Sequence, residues 1–124
     1  AKHHGSSRVT AGMKNWFGIT LHERARFHAA LDRTIADLAA LVRPTLTIVD
    51  ATRVLMRNGP RGGNLADVRE HHAVAVSADP VAIDAWAADL LGAPRQEVEY
   101  LALAAAKGLG KVDYRALGLT EITT

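Results

Sequence analysis

The sequence has 124 residues, of which 48% are hydrophobic and 23% charged, the composition of a folded domain rather than of a disordered chain. The net charge of +2 is too small to indicate the clustered basic face of a nucleic-acid-binding protein, so we expect no nucleic-acid partner. The sequence contains no cysteine, which excludes disulfides, cysteine nucleophiles and an iron–sulfur cluster ligated within this segment.

The length fits a single domain that spans residues 1–124, or a fragment of one. No run of 18 apolar residues occurs, so the sequence predicts no membrane span. Because the chain starts without methionine, we interpret it as part of a longer protein, whose remaining chain would be a partner of this segment. No signal peptide is visible, which favours the cytoplasm, but a segment before residue 1 would decide export.

The first fifteen residues, AKHHGSSRVTAGMKN, have two interpretations. Adjacent histidines followed by Gly-Ser-Ser are typical of an expression-tag remnant. The same stretch forms a candidate site, in which Lys2, His3, His4 and Lys14 supply the chemistry. An imidazole exchanges protons near neutral pH, and a nearby ammonium group holds an anion or lowers the pKa of that imidazole. The spacing alone leaves both interpretations open and slightly favours the tag.

Residues 20–42 predict the clearest helix. Thr20 and Glu23 match a capping box at its start, and Arg43 before Pro44 marks its end, because proline disfavours helical backbone in the residue before it. Apolar residues recur at helical spacing and predict the buried face. They are Leu21, Leu31, Ile35, Leu38 and Val42. His28 lies on this face, where a histidine is more often a core residue than a ligand.

The next stretch, TLTIVD at 45–50, predicts a buried strand that ends at Asp50. A long polar loop is predicted at 51–71, since glycine and proline interrupt regular structure there. These residues are Gly59, Pro60, Gly62 and Gly63. HAVAVS at 72–77 predicts a second strand. Asp50 therefore stands at a strand end, where open α/β sheets bind ligands, while the loop lacks the Lys-Ser/Thr pair of a Walker phosphate loop.

Asp79 and Pro80 predict the start of another helix, with Asp79 as the N-cap. This helix is predicted to reach Leu91, and a third helix to span 94–107. Asp84 lies in an otherwise apolar turn, so we expect its carboxylate to contact a loop or a ligand. Strands that alternate with helices indicate an α/β fold with a small parallel sheet flanked by about three helices. A sheet this thin is expected to be part of a larger domain.

The stretch KHHGSSRVTAGMKNWFG resembles the family called domain of unknown function 362, whose members carry a Lys-x-His stretch, a Val-Thr pair and then Lys-Asn-x-x-Gly. Further similarities follow in order along nearly the whole chain: IVDA, a Gly-Pro loop, SADPVAIDAWAADLLG and VEYLALAAAKGLG. The resemblance implies that residues 2–14 are native sequence. Many members of that family carry a ferredoxin-like iron–sulfur segment, which here would lie outside this cysteine-free segment. The biochemical role of the family is largely unassigned.

The sequence is more remotely similar to the lactate racemase family, in which a histidine precedes a lysine by ten residues in a Gly/Ser-rich stretch. His4 and Lys14 match that spacing. The similarity implies an acid/base histidine at His4 and a lysine at Lys14 that tethers a nickel-pincer cofactor. It also implies a later metal-binding histidine, which His28 matches after a two-residue shift.

The leading hypothesis is that the chain binds a small anionic ligand or a metal-containing cofactor and, if it is catalytic, acts as an acid/base enzyme. His4 and Lys14 are the candidate catalytic residues, and His4 and His28 are the candidate metal ligands. The candidate binding residues are Lys2, His3, Asp50, Gly62 and Gly63. The alternative is a non-catalytic scaffold or redox-partner domain that serves an iron–sulfur segment elsewhere in the full-length protein.

Overall fold

The computed structural model describes residues 1–20, 27–61 and 64–122. Four strands form one sheet in the order β2-β1-β3-β4. They are β1 (Lys2–His4), β2 (Arg8–Thr10), β3 (Thr47–Leu55) and β4 (Val68–Ser77). The α-helices of the described residues are α1 (Leu31–Val42), α2 (Pro80–Leu90) and α3 (Glu99–Ala106). Short 3-10 helices occupy Met13–Ile19, His28–Ala30, Leu65–Asp67, Arg95–Glu97 and Tyr114–Leu117.

The α/β class is confirmed, but the prediction of a parallel sheet is wrong. Only β1 and β3 run parallel in the described sheet, whereas β1–β2 and β3–β4 are antiparallel. The connections explain this arrangement. Residues 5–7 join β1 to β2 and residues 56–67 join β3 to β4, and neither connection is the crossover that adjacent parallel strands require.

The predicted loop at 51–71 is wrong at both ends. Strand β3 continues beyond Asp50, and β4 begins before His72. The register shifts between Ala51 and Arg53, where Thr52 and Arg53 are both exposed. Two successive exposed polar residues break the period of two by which a strand is recognised, so this half of β3 resembles a loop in the sequence.

The predicted start of the second helix is confirmed. Asp79 Oδ1 accepts hydrogen bonds from the amides of Val81 and Ala82 at 2.9 and 2.8 Å, with Pro80 in the first turn. These bonds satisfy amides that have no partner inside the helix. The predicted third helix is divided, because the backbone leaves the helical conformation at Val98 between a 3-10 turn and α3.

Helix α1 ends at Val42, as predicted from Arg43 and Pro44. Arg43 takes a left-handed conformation with φ of 46°, and its amide donates to the carbonyl of Ala39 at 2.9 Å. Within the described residues, the 3-10 helix His28–Ala30 directly precedes α1. Residues 21–26, with Glu23 of the predicted capping box, lie outside the described residues.

Helix α2 lies within the core, and eight of its eleven residues are buried. Around it pack side chains from strands, helices and the N-terminal segment. Among them are Val9, Met13, Phe17, Ile35, Val49 and Leu101. On β3 and β4, Ile48, Val74 and Val76 are instead 65, 64 and 59% exposed, so the β3–β4 hairpin has one uncovered apolar face. None of the helices in the described ranges is long and apolar enough to cross a membrane.

Candidate functional site

The N-terminal stretch, which was not predicted to be regular, forms the strand pair β1–β2. Lys2 pairs with Thr10 and His3 with Val9 across the antiparallel ladder. Paired residues point to the same side of a sheet and successive residues to opposite sides. Lys2, His4 and Thr10 therefore occupy one face of the strand pair, and Val9 enters the core from the other.

His4 is 7% exposed and is fixed by the turn that follows it. Its Nδ1 accepts hydrogen bonds from the amides of Ser6 and Ser7, both at 3.2 Å. An imidazole nitrogen that accepts must present its lone pair, so the proton of the neutral ring is on Nε2. The small residues of Gly-Ser-Ser allow the backbone to fold back closely around the ring.

The pKa of His4 is lowered from its usual 6.5 to about 4, first by burial and then, in decreasing order, by the charges of Lys14, His28, His3 and Lys2. Every neighbouring charge that shifts this pKa in the described part of the chain is thus basic. His4 is therefore a neutral imidazole at pH 7, with Nε2–H as its hydrogen-bond donor, inside a positively charged surrounding.

Lys14 lies in the 3-10 helix Met13–Ile19, which we call the Lys14 helix. It is half-buried, and its Nζ is 5.3 Å from the centroid of the Phe17 ring. Burial, and then the charge of Lys2, lowers the pKa of the Lys14 ammonium group. The structure therefore places Lys2 and Lys14 close enough to repel each other, beside His4.

His28 belongs to this basic group, although it is not the core residue that helical spacing favoured. It lies in a 3-10 helix, is exposed, and packs its ring edgewise against Phe17 with 5.9 Å between the ring centroids. Its charge lowers the pKa of His4. Among the described residues no group of three His, Cys, Asp or Glu side chains is placed to hold a metal ion. The metal-ligand role of His4 and His28 stays a prediction.

His3 contacts the loop that follows β3. Its Nδ1 accepts from the amide of Gly59 at 3.2 Å, and the amide of Gly5 donates to the carbonyl of Gly59 at 3.2 Å. A Cβ at Gly59 would collide with the carbonyl oxygen of His3, so only glycine allows this approach. The His3 ring is thus occupied in joining β1 to the hairpin loop.

Of the other predicted binding residues, Asp50 is described by the structure and Gly62 and Gly63 are not. The carboxylate of Asp50 is exposed and accepts from the amide of Thr52 at 2.7 Å, which lowers the pKa of Asp50. This is a local turn contact within β3. Gly62 and Gly63 lie outside the described residues.

Thr10 was not predicted to be part of the site. It is 7% exposed, and its Oγ1 is buried without a hydrogen-bond partner in the described part of the chain. A buried hydroxyl without a partner costs roughly 1–3 kcal/mol, so such groups often mark a place for water or a ligand. A threonine in a strand is too common for the sequence to have singled it out.

Asp84 meets a loop, as the sequence predicted. It is fully buried in α2, and its Oδ1 accepts from the amide of Gly12 at 2.6 Å. Its Oδ2 accepts from the amide of Met13 at 3.2 Å and from the hydroxyl of Tyr100 at 3.0 Å. Burial raises the pKa of Asp84 to about 6, against the opposing effect of these three bonds.

Two surface cavities lie away from the basic group. One, of about 210 Å³, is lined by Ala39, Arg43, Pro80 and Leu109 among others, and one of about 500 Å³ by Arg95, Gln96 and Val112 among others. Neither contains a residue of the predicted site. The described residues place the buried imidazole of His4 within a basic group, apart from these two cavities.

A family model described as domain of unknown function, DUF362, matches residues 1–89. The chain belongs to the DUF362 family. The match starts at residue 1, so AKHHGSSRVTAGMKN is family sequence and not a tag remnant. It includes His4, Lys14 and Asp84, whereas Tyr100 lies beyond it. Neither the curated proteins nor the solved structures contain a match to this DUF362 member.

Proposed function

We propose that this DUF362 member binds a small oxyanion, either a carboxylate or a phosphate group, on the face of β1–β2 that carries His4. In this proposal His4 donates a hydrogen bond from Nε2–H to the anion. Lys14 supplies the positive charge, and Lys2 adds to the attraction from the same basic surface.

The observation that carries the proposal is the pair of amides that donate to Nδ1 of His4. They occupy the lone pair of that nitrogen and keep the proton on Nε2. A neutral imidazole held in this way is suited to donate to an oxygen that carries negative charge. The low pKa of His4 has the same consequence, since the ring stays neutral throughout the physiological pH range.

The same bonds make a metal or a general base less suitable at His4. To bind a metal through Nε2, the ring would have to move its proton to Nδ1, where it would face the amides of Ser6 and Ser7. To act as a base, it would have to gain a proton against burial and against the charge of Lys14. An anion meets neither obstacle.

Electrostatics supports the same ligand class. Lys14 and Lys2 repel each other, and both oppose a charge on His4. The negative charge of a bound anion would offset this repulsion and thereby raise the pKa of Lys14. Because the basic surface is partly exposed, binding should weaken as salt is added.

The test is a calorimetric titration of the chain with inorganic phosphate, and separately with acetate, at low ionic strength. His4→Asn keeps an oxygen near the position of Nδ1 but removes the Nε2–H donor. We expect His4→Asn to weaken anion binding at least tenfold while the turn stays folded. His72→Asn, in an exposed histidine that pairs with Glu70 at 3.3 Å, is the matched control and should bind as the wild type does.

His4→Gln is the complementary variant, because it places an amide nitrogen near Nε2 but removes the acceptor at Nδ1. It should destabilise the turn and retain more anion affinity than His4→Asn. Titration with zinc completes the experiment. Zinc binding that is lost in His4→Asn and His28→Asn, without anion binding, would overturn the proposal in favour of a metal site. If neither anion nor zinc binds, the proposal is wrong and the scaffold hypothesis is favoured.

A further inference from the structure

We propose that Asp84 is a positioning residue for this anion site: it fixes the backbone of Gly12 and Met13, and thereby holds Lys14 beside His4. The inference rests on the proposed function, since it names a residue through which the same site is organised. Asp84 touches neither His4 nor the anion in this proposal and acts only through the Lys14 helix.

The Lys14 helix begins without a side chain of its own segment at the N-cap, where Gly12 has none to offer. The first amides of a helix have no partner within it and need an acceptor from elsewhere. Asp84 supplies that acceptor from α2, across 71 and 72 positions of the sequence. It therefore performs for this helix what Asp79 performs locally for α2.

The position of Lys14 follows directly from these bonds. Met13, whose amide is bound at 3.2 Å, is the residue before Lys14, and its side chain is fully buried. The bonds to Gly12 and Met13 thus hold the start of the Lys14 helix on α2. From there, the side chain of Lys14 places Nζ over the ring of Phe17.

Gly12 shows that the approach of the two segments is close. Its φ of −72° is an ordinary value that any residue adopts. A Cβ at this position would nevertheless lie 2.9 Å from Asp84 Oδ1 and 2.9 Å from Thr47 Cγ2. Glycine is needed here for space, and alanine would push the Lys14 helix away from α2. Gly18, at the other end of the same helix, has nothing within 4 Å of the corresponding position.

Tyr100 provides a way to separate positioning from general stability. Its hydroxyl donates to Asp84 from α3, so Tyr100→Phe removes one bond of the same buried carboxylate. It leaves the bonds to Gly12 and Met13 in place. Tyr100→Phe should therefore lower stability without moving Lys14.

The experiment measures the pKa of Lys14 by NMR titration of its side-chain signals, together with the affinity for inorganic phosphate. Four variants are compared with the wild type: Asp84→Asn, Gly12→Ala, Tyr100→Phe and Gly18→Ala. In Asp84→Asn and Gly12→Ala, we expect the pKa of Lys14 to return toward its usual 10.5 and phosphate affinity to fall about tenfold. In Tyr100→Phe and Gly18→Ala, both quantities should match the wild type.

The outcomes separate this inference from the proposed function. Suppose that the wild type binds no phosphate, but the pKa of Lys14 changes in Asp84→Asn and Gly12→Ala and in neither control. This result would refute the anion site and support the positioning role. If the wild type binds phosphate, and Asp84→Asn and Gly12→Ala change neither the pKa of Lys14 nor the phosphate affinity, only the positioning role is refuted. Equal loss in Tyr100→Phe would also overturn it, because the effect would then follow stability. If Asp84→Asn does not fold, Gly12→Ala decides.

Discussion

His4 and Asp84 are both buried, and each accepts hydrogen bonds from two consecutive backbone amides. The amides bound to His4 belong to its own turn, two and three residues away. Those bound to Asp84 are the amides of Gly12 and Met13, 72 and 71 positions earlier in the sequence. The local bonds leave Nε2–H of His4 available for a ligand. The distant bonds use both carboxylate oxygens of Asp84 to join α2 to the start of the Lys14 helix. Similar acceptor geometry thus yields a binding group in one region and a structural link in the other.

Burial also shifts the pKa values of His4 and Asp84 in opposite directions. Burial disfavours the charged form, so it lowers the pKa of His4 to about 4 and raises the pKa of Asp84 to about 6. His4 gives up its charge and becomes a neutral donor. Asp84 holds its charge less readily than an exposed carboxyl does, although three donors support its ionised form.

The largest expected effect comes from removing the acceptor on α2. Asp84→Ala leaves two amides and the hydroxyl of Tyr100 without a partner, so we expect the free energy of unfolding to fall by about 3 kcal/mol or more. Urea denaturation measures it. The control is Asp37→Ala, which removes an exposed carboxylate paired with Lys107 at 2.8 Å. It should cost less than about 1 kcal/mol. Similar losses in the two variants would contradict the assigned role of Asp84.

The opposite pKa shifts predict opposite dependences of stability on pH. The pKa of His4 in the folded chain lies below its unfolded value of 6.5. Its contribution to the free energy of unfolding is therefore present above pH 6.5 and is lost as the pH falls toward 4. The folded pKa of Asp84 lies above its unfolded value of 3.8, so its contribution is present below pH 3.8 and is lost as the pH rises through 6. In the wild type the two largely offset each other between pH 4 and 6.

Single variants should reveal the two contributions. Between pH 6.5 and 4, Asp84→Asn should lose stability on acidification more steeply than the wild type, because the contribution of His4 is then no longer offset by that of Asp84. His4→Asn should lose less stability on acidification than the wild type, because the contribution of Asp84 then acts without that of His4. Urea midpoints at pH 4, 5, 6 and 7 measure both slopes. Parallel slopes in the two variants would mean that one of the assigned pKa shifts is wrong.

The smallest effect is expected at Thr10. Thr10→Val keeps the shape of the side chain and removes a buried hydroxyl without a partner, so it should raise the free energy of unfolding by up to about 1 kcal/mol. Ser7→Ala is the control, because the Ser7 hydroxyl donates to the carbonyl of Val9 at 3.0 Å and its loss should destabilise. If the Thr10 hydroxyl contacts the bound anion, the valine variant should also bind phosphate more weakly. A destabilised Thr10→Val would show that the hydroxyl has a partner in the folded chain.

Local chemistry made part of the fold predictable from the sequence. Asp79 with Pro80 marked a helix start, and Arg43 before Pro44 marked a helix end, because each signal acts within a few residues. Strands β1 and β2 were not predicted, since three residues in a Gly/Ser-rich stretch are too few to show alternation. The mixed sheet was missed because strand direction depends on how distant segments pair.

The site divides in the same way. Residue type and spacing singled out His4 and Lys14, and the structure brings both into one basic group. The sequence could not predict that two amides occupy Nδ1 of His4, which changes the role we propose from proton carrier to neutral donor. It placed Asp84 against a loop or ligand, but the identity of that loop depends on packing across 71 residues or more.

The N-terminal segment pairs with β3 at one registered pair, Lys2 with Leu55, and the amino group of Ala1 donates to the carbonyl of Asp50 at 2.6 Å. Its other polar contacts include Gly59, Asp84 and Glu97. Because only one registered pair joins β1 to β3, whereas a long ladder joins β3 to β4, we expect any local opening to separate the N-terminal segment before the hairpin opens. The amides of Gly5, Gly12 and Met13 would then exchange with solvent together, ahead of those in α2. A ligand on His4 and Lys14 would slow all three, so the exchange rate of the Gly5 amide, which bonds to Gly59 and not to the ligand, would report occupancy of the site.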